Sequence, residues 1–440
     1  MTTSAPTTPP PLLEALTSAF PTDPSPAGDE VRQLLATGMP TQKHEAFRYA
    51  SLRKLRSKTF DFSAPSSPVH SPDILTCSGL ENRRLVFVDG MWREELSSLQ
   101  TPSQDLTWNV GPSQLATAPE HHELASSDFF EHVNQLGNTP FFHLQVAEGA
   151  IIDTPIHLAF WNTSSEKSYA VRRGQIRLTV GKGARISLVT STGGQGNYLS
   201  NHHIQIELAH GAEVQHYAIQ DDPEDSFLFD SQQVLCTEES KYSLVAIGFG
   251  TEITRNRYRI DLLGERAIAN LRGTEVLSGQ REHHKVVTVH HRAPHCESNQ
   301  HFKTILGEKS NASYDGMIVV DQIAQKTDAF QLGANLMLSE DARIHVKPSL
   351  FIHADDVKCS HGATIGQLEN EEIHYLRTRG IPHAEARRLM IYSFAAEILM
   401  EIGYAPLQNQ FTDSILARLV RVEDSLSPAI SPAKISRKSK

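Results

Sequence analysis

The segment Lys347 to Gly366, KPSLFIHADDVKCSHGATIG, concentrates reactive side chains in one place, with Cys359 and His361 two residues apart. In an extended strand, residues i and i+2 share a face with Cα atoms roughly 6.6 Å apart, so a thiolate and an imidazole stand side by side. Soft thiolate and borderline imidazole suit iron or zinc, and such a pair can grip iron or one edge of an iron–sulfur cluster. Asp355 and Asp356 are close enough in sequence to add oxygen donors or to orient the imidazole. Spacing alone makes C-x-H a weak signal. A free cysteine is commonly a small buried hydrophobe, and a strand histidine commonly a hydrogen-bonded surface residue. Gly362 permits a tight exit from the strand.

A second cluster runs from His290 and His291 to His295, Cys296 and Glu297. Adjacent strand residues point to opposite faces, so His295 and Cys296 read as structural or as a secondary site. Asp355 and Asp356 share that handicap for joint acid–base work, although they are the first carboxylate pair to suspect in a lyase or hydrolase. No G-x-x-x-x-G-K-[ST] occurs; the nearest text, Gly307-Glu-Lys-Ser, lacks the loop, so the chain is expected to bind no ATP. G-x-S-x-G, H-E-x-x-H and G-x-G-x-x-G are also absent, and no independent enzyme is visible.

Composition narrows the classes further. The 51 acidic and 41 basic residues leave a net charge of −10, which argues against a nucleic-acid partner. Four cysteines, Cys77, Cys236, Cys296 and Cys359, form no C-x-x-C pair and no disulfide framework, as expected of a reducing, cytoplasmic compartment. The start, MTTSAPTTPPPLLEALTSAF, has no basic n-region, and no stretch approaches the ~20 apolar residues of a membrane span, so a soluble protein with no membrane partner is expected. The 22 histidines include doublets at 121–122, 202–203, 283–284 and 290–291, most of which read as strand residues.

The elements that position these groups fall into three blocks: an N-terminal helical domain with Pro/Ser-rich linkers over 1–135, a β core over 136–365, and a C-terminal helical domain with a basic tail over 366–440. In the first block Asp29 is expected to cap a helix ahead of Val31, Leu34 and Leu35, and a second helix to run from Lys43 to about Leu55. Pro/Ser-rich text at 60–73 and 101–119 reads as linkers or loops. In the core Ile176, Leu178 and Val180 alternate with polar residues, as do Ile204, Ile206 and Leu208, then Tyr258, Ile260 and Leu262. A turn signal, Ala followed two residues later by a small or branched apolar residue, recurs at Ala150, Ala184, Ala212, Ala267 and Ala342. Its loose period of ~25 to 28 residues favours a parallel β-helix over a β-sandwich or cupin-like barrel. Leu389, Met390, Phe394, Ile398 and Ile402 mark the stripe of one C-terminal helix, and Ser414 to Val422 form a second; SPAKISRKSK at the end reads as a frayed tail.

Longer runs carry a family resemblance. Ala324-Gln-Lys-Thr-Asp-Ala-Phe-Gln, Ala334-Asn-Leu-Met-Leu-Ser, Ala354 to Leu368 around the C-x-H, and Tyr375-Leu-Arg-Thr-Arg-Gly-Ile closely resemble the SufB/SufD family of iron–sulfur assembly proteins. Pro40…Glu45-Ala-Phe-Arg-Tyr49 and Ala384 to Glu401 resemble the SufD branch, with Phe47 where that lead-in commonly has Trp. The resemblance implies a mainly β fold, a right-handed parallel β-helix flanked by N- and C-terminal helical domains. It also implies a non-catalytic scaffold that pairs edge to edge with a SufB-like subunit and docks a SufC-like ATPase through its C-terminal helices. A transient iron–sulfur cluster, or iron, would be held at the subunit interface, with His361 on the family's cluster-assembly histidine and Cys359 on its companion cysteine. Cys359 has packing inside the fold as its alternative, and two other readings stand beside the scaffold: a metal-dependent β-rich enzyme using the His/Cys cluster, and a structural partner that holds SufB- and SufC-like subunits together with no ligand of its own.

Overall fold

The structure, a computed structural model, describes residues 10–20, 22, 26–63, 76–99, 101–111, 128–137, 139–164 and 168–426. Most strands belong to two parallel sheets that the chain visits in alternation. The first sheet runs from Phe141–Val146 through Tyr169–Val180, Tyr198–Leu208, Ser231–Cys236, Ile253–Leu262, Glu282–His291 and Asn311–Val320 to Arg343–Ile352. The second runs from Ile151–Thr163 through Arg185–Gln195, Glu213–Gln220, Lys241–Gly248, Ile268–Leu277, Glu297–Leu306 and Asp328–Met337 to Lys358–Gly366. Each coil gives one strand to each sheet and pairs in parallel with the coil before it, which is a parallel β-helix. The sandwich and barrel alternatives need antiparallel neighbours; among the described residues, named strands pair that way only where Leu106–Gly111 meets Phe141–Val146 and where Arg84–Val88 meets Met91–Trp92, besides an isolated bridge between Thr251 and Glu282.

Stacking explains the alternating pattern. Leu178, Ile206, Val234 and Ile260 are register partners in successive coils, as are Val180, Leu208, Cys236 and Leu262, and all are buried. Each column is a continuous apolar ladder, and Cys236 serves in it as a small hydrophobe. The turn signal also has a cause. One corner of each coil carries a residue with left-handed φ: Gly149, Gly183, Gly211, Glu239, Arg266, His295 and Lys326. Each donates its backbone N–H to the carbonyl of the residue preceding the equivalent corner of the next coil, or, for Lys326, to Asp356 in the last coil. The residue after the corner must be small: Ala150, Ala184, Ala212, Ser240, Ala267, Cys296 and Thr327 are all buried. Ala342 is the exception among the expected signals, because it precedes a strand of the other sheet.

The sheets reach back before residue 136. Arg84–Val88 pairs in parallel with Ile151–Thr163, and an aromatic cluster of Phe87, Phe142, Phe160 and Trp92 closes that end of the core. Helices α1 (Pro11–Ala19), α2 (Pro26–Thr37) and α3 (Phe129–Gln135) pack beside the first sheet, where Leu16, Phe47, Leu55 and Phe130 meet Tyr169, Leu199 and Phe227. Helix α2 begins at Pro26, so Asp29 lies in its first turn and pairs with Arg32 instead of capping. The expected helix from Lys43 to Leu55 is replaced by two 3-10 turns, Glu45–Phe47 and Lys54–Ser57. Phe47, Ala50, Leu52 and Leu55 are all buried there, and no single helical face holds both residue 50 and residue 52.

At the other end, α4 (Asn370–Thr378), α5 (His383–Leu399) and α6 (Ala405–Leu426) follow the last strand. The buried side of α5 and α6, including Ile391, Ile398, Leu399, Leu407, Phe411 and Ile415, covers the outer face of the second sheet at Tyr217, Ile219, Val245 and Ile247. Leu389 is exposed rather than part of this stripe: two residues before buried Ile391, it lies roughly 200° around the helix from it. Ion pairs Lys303–Glu397 and Arg272–Glu401 tie α5 and the turn after it to the sheet. The 431–440 tail, most of the first Pro/Ser-rich stretch, the end of the second and the 121–122 histidine doublet lie outside the described residues.

Candidate functional site

Among the described residues nothing covers the last coil of the β-helix. Arg343–Ile352 and Lys358–Gly366 are the edge strands of the two sheets, and nearly every residue of both is exposed or half-buried. Phe351 and Ile365 are 50% and 60% exposed, so this end offers open backbone and apolar side chains together.

Cys359 and His361 occupy the strand Lys358–Gly366 of that coil. Cys359 is the register partner of Ala329, which pairs in turn with Ser298 and Ala269 in the buried coils below. His361 continues the column Leu271, Gln300, Gln331. Both columns face the solenoid interior, so the two side chains share one face, and they meet solvent because no further coil lies over them. Their burial differs. Cys359 is half-buried against Ile318, Val320, Ala324, Ala329 and Leu350, whereas His361 is exposed. Burial, and then the Asp328 carboxylate, push the Cys359 thiol up. The other three cysteines are buried, and burial holds Cys77 and Cys236 at about 12. Cys359 is therefore the cysteine best placed to reach an external partner.

Beneath His361 the interior turns polar. Gln331 Nε2 donates to the Ser349 carbonyl at 3.2 Å, and Tyr314 Oη donates to Gln300 Oε1 at 2.9 Å. Gln300 Nε2 and Gln331 Oε1 are left without a partner. No local pattern marks these glutamines, whose place in the site comes only from standing one and two coils below His361.

Asp356 does not join the pair: it is held by Lys326 and its backbone N–H donates to Gln325 Oε1 at 2.9 Å. Among the described residues no group of three or more His, Cys, Asp and Glu side chains is arranged to hold a metal ion. The terminal coil thus offers two donors, short of the four a cluster takes.

The second His/Cys cluster divides as adjacent strand residues do. His295 is an exposed corner with φ of 59°, while the buried Cys296 thiol donates to the Gly264 carbonyl at 3.2 Å. The remaining histidines are largely structural. His157 is bonded to Ser191 at 2.7 Å, His216 to Thr190 at 2.9 Å and His291 to Ser298 at 2.8 Å, and burial lowers each to about 3. Gly307-Glu-Lys-Ser is a turn between two strands.

The fold is that of a parallel β-helix protein whose last coil presents a thiol and an imidazole on an edge strand. Comparison with known proteins identifies the family. The family model "SUF system FeS cluster assembly, SufBD core domain" matches residues 160–394. An iron–sulfur cluster assembly SufBD family protein of Synechocystis is 30% identical over 405 residues, covering 87% of this chain and 88% of its own length. Iron–sulfur cluster assembly protein SufD of Escherichia coli is 29% identical over 397 residues, covering 89% and 91%. A chloroplastic protein of Arabidopsis thaliana, ABCI7, is 28% identical over 398 residues, covering 86% and 82%. The chain belongs to the SufBD family and has a role in iron–sulfur cluster assembly.

Proposed function

We propose that the chain is a scaffold subunit whose terminal coil holds iron, or a nascent iron–sulfur cluster, as cargo through His361 and Cys359. The observation that carries this reading is their position: two donors on one inward-facing side of a coil that no described residue covers. The missing donors come from a SufB-like subunit whose own edge strands pair with Arg343–Ile352 and Lys358–Gly366, burying Phe351 and Ile365. His361 is the principal donor; Cys359 follows once a metal or a nearby cation offsets the raised thiol.

A SufC-like ATPase docks on the C-terminal helices. The outward residues Leu389 and Met400 of α5 and its end, and Tyr375 of α4, are exposed and apolar, which suits that role. ATP is bound and hydrolysed by that partner, and this chain performs no turnover of its own. Closure of two ATPase subunits pulls on the segment from Arg379 to Ile402. Lys303–Glu397 and Arg272–Glu401 pass the pull to the sheet that ends at His361, opening the interface to iron and sulfide. The compartment is cytoplasmic and reducing, in keeping with four free cysteines. No helix among the described residues is long and apolar enough to cross a membrane.

The test is native mass spectrometry of the tagged full chain purified anaerobically from its own cells. A complex with a β-helical paralogue and a ~27–30 kDa ATPase is expected, on the size of a single-core ATPase domain with insertions. A lone chain carrying one stoichiometric metal would overturn the reading in favour of a metal-dependent enzyme.

A further inference from the structure

We propose that a cleft between the N-terminal helices and the outer face of the first sheet binds a small organic anion with an apolar body. The cleft encloses about 610 Å³, within the range of small-molecule sites. It lies on the outward side of the first sheet, whereas Cys359 and His361 are on the inward side of the second, so it is separate from the cargo site.

Register builds its floor. Arg257, Val286 and Asp315 are partners across three neighbouring strands, with Lys347 beyond them, and Arg259, Thr288 and Met317 form the next row. Helix α2 contributes Leu34, the turn after it Pro40 and Phe47, and α3 Phe129 and Leu136 to the facing walls.

The chemistry of the lining is uneven. Arg257 Nη1 donates to Glu131 Oε2 at 2.5 Å and Arg259 Nε donates to Asp261 Oδ2 at 3.1 Å. A guanidinium has five N–H donors. These bonds engage one N–H of each guanidinium, and the two side chains remain 17% and 18% exposed. Two residues apart on one strand face, roughly 6.6 Å, they can both address the oxygens of one phosphate or carboxylate.

The lining carboxylates are mostly occupied. Asp128 pairs with Arg255 at 2.6 Å, and Lys347 pairs with Glu45 at 2.7 Å and with Asp315 at 3.7 Å, leaving exposed Glu30. Spare donors therefore gather at the two arginines, while Val286, Met317, Phe129 and Leu136 offer apolar surface beside them. An acid group attached to a hydrocarbon or aromatic body satisfies both halves.

The experiment is a fluorescence titration of the full chain with 8-anilinonaphthalene-1-sulfonate, which carries both features. Wild type is expected to show one saturable site, displaced by phenyl phosphate, by benzoate or by both, the pattern distinguishing phosphate from carboxylate preference. Arg259→Gln should weaken binding by about tenfold or more through loss of charge-assisted bonds. Asp261 keeps its 3.1 Å contact with Arg292 in that variant, so the fold is preserved. Met317→Trp should narrow the cleft beside Arg259 and weaken binding; Arg259→Gln carries the test by itself if that variant does not fold. No saturable site in wild type, displacement by neither acid, or an Arg259→Gln affinity within twofold of wild type would overturn the proposal.

Discussion

At the residue scale, the four cysteines differ in accessibility and acidity, and that difference is measurable. Cys359 is half-buried with its thiol pushed up by burial and by Asp328, while Cys77, Cys236 and Cys296 are buried. Nucleophilic attack needs the thiolate, so alkylation of the native protein should reach Cys359 alone, slowly at neutral pH and faster as pH rises above that of an ordinary thiol. Peptide mapping after iodoacetamide treatment across a pH series checks this; rapid labelling at neutral pH, or equal labelling of Cys236, would contradict it. The buried histidines make a second prediction. His157, His216 and His291 are held neutral down to about pH 3. In the unfolded chain each takes up a proton below about pH 6.5, so stability present at neutral pH is lost as pH falls through that value. Each contributes roughly 2 kcal/mol of loss by pH 5. Asp222, whose pKa burial raises to about 7, runs the other way: it is protonated in the fold and ionised in the unfolded chain between about pH 3.8 and 7. The urea midpoint should therefore fall between pH 7 and 5, and Asp222→Asn should steepen that fall. A midpoint that stays flat over this range would refute the assignment.

At the scale of elements, the coil corner sets the repeat. Glu239, Arg266, His295 and Lys326 hold a left-handed conformation that Gly149, Gly183 and Gly211 adopt without a Cβ clash. His295→Gly should stabilise by about 0.5 kcal/mol, the relief of left-handed strain being partly cancelled by a more flexible unfolded chain. Gly211→Ala should destabilise by about 1 kcal/mol. Chemical denaturation of both variants tests the corner; a destabilised His295→Gly or a stabilised Gly211→Ala would refute it. This corner also explains what could be read in the sequence. Ala150, Ala184, Ala212 and Ala267 are visible as a repeat, but Ser240, Cys296 and Thr327 fill the same buried slot with other small residues and hide it. The C-x-H strand was legible because period two places residues 359 and 361 on one face. That this face belongs to the interior of an uncovered coil was not, since it depends on pairing with Ala329 and Gln331 a full coil earlier. Register across that distance is invisible to local pattern. The same limit applies to Arg257 and Arg259, which look like ordinary strand residues until α2 and α3 stand over them.

At the scale of the whole molecule, the solenoid is finished at one end and open at the other. Aromatic packing among Phe87, Phe142, Phe160 and Trp92 closes the first end, while the last coil leaves two edge strands, Phe351, Ile365 and His361 without cover. An open β-edge favours pairing with another strand, and a two-donor site on that edge becomes complete when the pairing chain supplies the rest. The His361 side chain is exposed, so His361→Ala should leave the fold within about 0.5 kcal/mol of wild type. The most direct measurement is iron and labile sulfide per complex, isolated anaerobically with wild-type chain and with His361→Ala. The expected result is an intact complex in both, with iron and sulfide present in wild type and lost in the variant. Equal iron and sulfide in the two intact complexes would contradict the claim that the terminal coil holds the cargo.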